Sequence, residues 1–143
     1  MDQCADWQVN VSEDNLMALL SQAAMDRLYQ VPSLLEDERR QSVTAATTSA
    51  FERVGIFLRV CERSREGRPW MPFHSDGNCC AVNVALNNGT DCQGGTLLAL
   101  TEGKLSAIHR RQGDAACHKG SVCHAVSAMT SGWRCSVILF FHQ

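Results

Sequence analysis

Apolar residues recur at helical spacing in the first third of the chain. Leu16, Leu19, Leu20, Ala23, Ala24 and Leu28 fall on one face of a 3.6-residue period. Ser12 stands before them as an N-cap, and Glu13 and Asp14 occupy the first turn, where carboxylates suit the helix dipole. Val11 and Leu16 sit at the two positions of a hydrophobic staple. A first helix is therefore expected from Ser12 through Leu28. A second is expected to open after Pro32, where Ser33-Leu34-Leu35-Glu36 reads as a capping box. Its buried stripe would be Leu35, Val43, Ala46, Ala50 and Val54, with Gly55 as the stop. Thr44, Thr47 and Thr48 weaken its middle.

From Ile56 the period changes from helical to alternating. Ile56 to Val60 reads as a strand, and Ala81 to Leu86 alternates with Val82, Val84 and Leu86 on one face. Further strands are expected at Thr96 to Leu100, Leu105 to Ile108, Val122 to Val126 and Cys135 to Phe141. Gly94-Gly95, Glu102-Gly103 and Gly113-Asp114 mark the turns between them. Short strands at this spacing define a sandwich or barrel. The last strand is apolar on both faces and belongs in the centre of a sheet covered on both sides. The chain thus divides into a helical support region, 1–55, and a β domain, 56–143, forming one structural unit.

Length and composition exclude several classes. A chain of 143 residues suits one domain. The net charge of −2 gives no basic face for nucleic acid. No apolar run is long enough for a membrane span. The N-terminus MDQCADWQVN lacks a basic segment followed by an apolar one, so no signal peptide is read and the cytosol or nucleus is expected. Eight cysteines without a C-x-x-C pair, several of them inside apolar runs, are read as free thiols acting as small hydrophobes.

The chemistry concentrates in RPWMPFHSDG, where His74 and Asp76 are separated by one residue. In extended backbone, residues i and i+2 point to the same side, so one short segment aims both at one point. A metal site needs a further ligand, and His109, His118, His124 and His142 are the candidates. Two histidines and one carboxylate make the facial triad of non-haem iron(II) oxygenases, which leaves half the coordination sphere open. Arg134 and Ser136 open the final strand, again i and i+2, on the face that continues through Ile138 and Phe140. A guanidinium and a hydroxyl facing an apolar interior call for an anion, and a ligand carboxylate fits.

The pattern His74-x-Asp76 … His124 … Arg134-x-Ser136 resembles the iron(II)- and 2-oxoglutarate-dependent dioxygenases, in particular their prolyl 4-hydroxylase-like branch. FLRV, RPWMPFHSDG, VNVALN, GGTLLAL, the Gly113-Asp114 turn, HAVSAMTSGWR and SVILFF carry the resemblance, in the family's order, from about residue 56 to the C-terminus. It implies a mainly β double-stranded β-helix, or jelly-roll, with the N-terminal helices packed on its major sheet. It implies iron(II) on His74, Asp76 and His124, and 2-oxoglutarate held by Arg134 and Ser136. Dioxygen would be the co-reactant and ascorbate an accessory reductant. Succinate and carbon dioxide would be released as an unactivated C–H bond is hydroxylated, on a protein or peptide side chain or on a small molecule.

Three features depart from that pattern or compete with it. Relatives carry a tyrosine on the strand before the His-x-Asp motif, whereas the only tyrosine here is Tyr29 and Cys61 stands near the expected place. Asn83 is the donor that could substitute. Cys117, His118, Cys123 and His124 offer a rival zinc site, though at no common zinc spacing. A jelly-roll that binds a ligand or partner without turnover is the third reading. Trp70, Met71 and Phe73 are read as entrance or core, and Arg63, Arg65 and Arg68 as a solvated loop.

Overall fold

In a computed structural model of the chain, residues 6–40, 53–63 and 70–142 are described. In chain order these form β1 (Asp6–Asn10), α1 (Glu13–Leu19), α2 (Gln22–Arg40), β2 (Arg53–Glu62), β3 (Met71–His74), β4 (Cys80–Ala85) and β5 (Cys92–Gly94). There follow β6 (Leu97–Thr101), β7 (Lys104–Ile108), β8 (Ala115–Lys119), β9 (Cys123–Val126) and β10 (Met129–His142). The chain is mainly β. All strand pairs run antiparallel, in two sheets. The larger has the order β1-β2-β10-β4-β8, with β5 also on β10, and the smaller β3-β9-β6-β7.

Each strand segment expected from the alternation has its counterpart, with Leu86, Thr96 and Val122 one residue outside β4, β6 and β9, and β10 is central, between β2 and β4. The Glu102-Gly103 turn joins β6 to β7 with φ of 50° and 74° at its two residues. Both positive values match the primed turn that suits the twist of a two-residue hairpin. The strands not anticipated are short or interrupted: β3 contains Pro72, β5 has three residues, and β8 carries His118 and Lys119.

The helical third differs from the sequence expectation in three ways. It opens on a strand, β1, whose partner is β2 from Asp6↔Cys61 to Asn10↔Phe57. The first helix is broken at Leu20, which is extended. Ser21 then starts α2, its Oγ accepting from the Ala24 N–H at 3.2 Å. A serine hydroxyl competes with the helix ladder and acts as a cap where it can. Finally, no helix begins at Ser33. Helix α2 runs through Pro32, which is fully buried, while Ser33 Oγ donates to the Gln30 carbonyl. Proline inside a helix costs about 3 kcal/mol or more, and here burial of the α2 face outweighs local propensity. Val54 and Gly55, expected to end a helix, lie in β2. The stripe at Leu35, Val43, Ala46 and Ala50 lies outside the residues whose side chains are described.

The capping expected at Ser12 is present, with its Oγ accepting from the Asn15 N–H at 3.2 Å. Leu16 and Met25 from the helices join Ile56, Val82, Val137, Leu139 and Phe141 in one buried cluster, with Val11 packed against it. Tyr29 sets its ring edge against Phe141 at 5.9 Å and donates its hydroxyl to Glu13 at 2.8 Å. Burial and that carboxylate push the phenol up to about 12. None of the seven described cysteines is in a disulfide.

Candidate metal centre

The alternation of β10 divides its side chains between two environments. Val137, Leu139 and Phe141 enter the buried cluster with the helices. Arg134, Ser136, Ile138 and Phe140 face the other way, into a narrow cavity of about 50 Å³. Asn83 reaches the same cavity from β4, where it lies opposite Ile138. His74, Asp76 and His124 complete its lining. The structure therefore brings all six site residues read from the sequence into one cavity.

The histidines meet through strand register. His74 closes β3 and His124 lies in β9, and the two are paired across the ladder. Their ring centroids are 4.3 Å apart. Asp76 follows in the loop after β3. Its N–H donates to the Gly120 carbonyl at 2.9 Å. Gly120 can come this close only without a side chain, because a Cβ there would run into the Asn78 carbonyl. That contact fixes Asp76 between the imidazoles. Asp76 Oδ1 lies 3.7 Å from His74 Nε2, and Asp76 Oδ2 lies 3.7 Å from His124 Nε2.

Both rings are oriented in the same way. His74 Nδ1 lies 2.9 Å from the Pro72 carbonyl, and His124 Nδ1 lies 3.0 Å from the Val122 carbonyl. A carbonyl only accepts, so each Nδ1 carries the proton and each Nε2 lone pair is left for a cation. The three ligand atoms lie within 4.8 Å of one another. The 3.7 Å separations are too long for hydrogen bonds, and Asp76 Oδ2 is buried with no hydrogen-bond partner. An unsatisfied buried carboxylate oxygen is costly, and a divalent cation between the three groups removes that cost. The donor set, two neutral imidazoles and a carboxylate, fits iron(II) in an open facial arrangement.

Burial holds the His124 imidazole below its ordinary value of 6.5, and the neighbouring His118 and His74 act in the same direction. The Val122 carbonyl and Asp76 oppose them. His124 is thus neutral, as a ligand must be, at neutral pH. In the metal-free protein its stabilising contribution is complete above 6.5 and is lost as pH falls through its lower folded value. Metal-free melts are expected to show Tm falling on acidification below 6.5, with a shallower fall in His124→Phe.

The rival zinc grouping does not assemble. Cys117 packs against the helix-side cluster, whereas His118, the next residue, lines the cavity. His118 stacks on His124 at 4.4 Å and places its Nδ1 3.0 Å from the Lys119 carbonyl. Among the described residues only His74, Asp76 and His124 form a potential metal group. His109 lines a separate cavity, and His142 ends β10 beside another. Cys61 lies opposite Arg134 in the β2–β10 ladder and lines the cavity, while Tyr29 is on the far side of the sheet against Phe141.

Two basic residues that the sequence reading left out stand at the site. Arg59 lies opposite Ser136 and lines the cavity. A single cation inside the apolar run of β2 was its signal. Arg110, before β8, donates from Nη1 to the Asn83 carbonyl at 2.8 Å and to Asn83 Oδ1 at 2.6 Å. Nothing in its local sequence marks it.

No protein-family model matches the chain, and no curated protein sequence matches it. Solved structures do. A prolyl-4-hydroxylase from Pseudomonas putida superposes with a TM-score of 0.63 at 17% identity, over 98% of this chain and 70% of that one. An oxidoreductase of the 2OG-Fe(II) oxygenase family from Burkholderia pseudomallei gives 0.66 at 14%, over 96% and 67%. A prolyl hydroxylase from Trichoplax adhaerens, in complex with a hypoxia inducible factor oxygen degradation domain peptide fragment, gives 0.62 at 12%. That match covers 97% of this chain and 63% of the other. The chain shares the fold of these three structures. No helix among the described residues is long and apolar enough to cross a membrane.

Proposed function

We propose that this chain is an iron(II)- and 2-oxoglutarate-dependent dioxygenase of prolyl 4-hydroxylase-like type, built on a double-stranded β-helix with the helices on its major sheet. The observation that carries this reading is a single cavity holding a His-Asp-His metal group together with Arg134 and Ser136. When bound, iron(II) and 2-oxoglutarate supply, with dioxygen, the oxidising chemistry that hydroxylates an unactivated C–H bond and releases succinate and carbon dioxide. Ascorbate is the reductant that keeps the iron ferrous.

The chain's own residues hold and orient. His74, Asp76 and His124 hold the metal on one face. Arg134 grips the distal carboxylate through its planar fork, and Ser136 adds one hydrogen bond. Asn83 stands in for the phenol that relatives place near Cys61. Ile138 and Phe140 keep that end of the cavity apolar, which strengthens the charge pairing.

The substrate is proposed to be a protein or peptide side chain. A groove of about 350 Å³ is lined by Trp70, Met71, Pro72, Phe73 and Val126, of which Met71 and Val126 also line the metal cavity. Trp70 and Phe73 are exposed there, and such a groove suits an extended peptide. A small-molecule hydroxylase of the same family is the alternative. A binding module without turnover is the other, favoured by the placement of Tyr29 away from the cavity. The test is succinate formation with iron(II), ascorbate and 2-oxoglutarate, with and without a peptide panel. Turnover that disappears in His74→Ala supports the enzyme, and tight iron binding without succinate across the panel supports the binding module.

A further inference from the structure

Arg110 and Arg134 line a second, larger cavity of about 330 Å³, together with Asn87 and Thr96, and it shares Arg134 and Leu97 with the metal cavity. Arg110 also reaches the first cavity through Asn83, by the two bonds from its Nη1. A guanidinium has donors and no acceptor, so the Asn83 side-chain atom that meets it is the oxygen. The Asn83 NH2 is therefore turned away from Arg110, in a residue that lines the metal cavity beside Arg134 and Ser136.

The charge balance points the same way. Both acceptors of Arg110 on Asn83 are neutral. The nearby acid, Asp114, has its carboxylate engaged by the Arg111 N–H at 2.7 Å. Burial first, and then Arg134, lower the Arg110 guanidinium to about 10, against the opposing effect of Asp114. Arg134 is thus a like charge acting on Arg110, and an anion taken up beside Arg110 offsets that repulsion.

We propose that Arg110 is a second recognition element for the distal carboxylate of 2-oxoglutarate, fixing the Asn83 amide as a donor and adding a positive charge behind Arg134. The inference rests on the cosubstrate reading above. It makes Arg110 a positioning and specificity residue, with Asn83 supplying the donor that contacts the ligand.

The test is calorimetric binding to the full chain loaded with nickel(II), with two ligands. One is 2-oxoglutarate; the other is 2-oxopentanoate, which has the same keto-acid head and no distal carboxylate. Arg110→Gln can still donate to Asn83 Oδ1 but carries no charge. It is expected to weaken 2-oxoglutarate about tenfold or more and to change 2-oxopentanoate by less than about twofold. Arg110→Lys is expected to recover part of the loss. Asn83→Leu, which leaves Arg110 in place, is expected to show the same selective loss and serves if the first variant does not fold. Equal weakening of both ligands, or no change in either, overturns the inference. A wild-type protein that binds nickel(II) but does not prefer 2-oxoglutarate over 2-oxopentanoate overturns the cosubstrate reading itself.

Discussion

Asp76→Ala is expected to abolish iron(II) binding and, with it, all succinate formation. Asp76 supplies the only anionic ligand in the metal group, and it lies 3.7 Å from each imidazole Nε2 through a different oxygen. Loss of a partner outside the ligand set typically costs about 10–100-fold in metal affinity, so loss of a ligand carboxylate should exceed about 100-fold. The effect on the empty protein should be small or opposite in sign. Asp76 Oδ2 is buried without a hydrogen-bond partner, so alanine removes an unsatisfied group. The melting temperature of metal-free Asp76→Ala should match or exceed that of the wild type. The rise in Tm that metal gives the wild type should vanish in the variant. A variant that kept its metal-induced rise would show that the cation sits elsewhere.

Arg134→Ala is expected to weaken 2-oxoglutarate by about 2–4 kcal/mol, roughly 30- to 1000-fold, with iron(II) affinity unchanged. The separation is structural. Arg134 lies on β10 of the larger sheet, whereas His74 and His124 lie on β3 and β9 of the smaller. Its side chain lines both the metal cavity and the larger cavity that shares it, so truncation leaves the ladder between β2 and β10 in place. Metal and 2-oxoglutarate titrations of the same variant check both halves of the expectation. An unchanged 2-oxoglutarate affinity would assign the carboxylate to another cation, with Arg59 and Arg110 the nearest alternatives.

The site was legible because strands make side-chain direction a matter of counting. Arg134 with Ser136 is a pair at i and i+2 in β10 that reaches one cavity, while Asp76, two residues after His74 but past the end of β3, reaches it through its N–H bond to the Gly120 carbonyl. Arg110 was illegible for the opposite reason. It lies outside any strand, and only the folded chain brings it to Asn83. Arg59 stood in a correctly read strand, but its inward face depends on the Ser136↔Arg59 register, which one strand alone does not disclose. In the helical third, local signals competed. The cap at Ser12 prevailed because nothing opposed it. The proline-based start at Ser33 did not, because α2 carries Pro32 fully buried. Propensity is a weak prior wherever tertiary burial is at stake.

Because Leu139 and Phe141 alternate along β10 with Arg134, Ser136 and Ile138, this segment encodes two products in one reading frame. Substitutions can alter either product separately. A single-codon insertion or deletion between Ser136 and Val137 would invert the residues on one side of it relative to the other, turning either Arg134 and Ser136 toward the helices or Leu139 and Phe141 toward the cavity. Natural variation along β10 should therefore be confined to exchanges of one residue for another, while changes of length accumulate in the connecting loops.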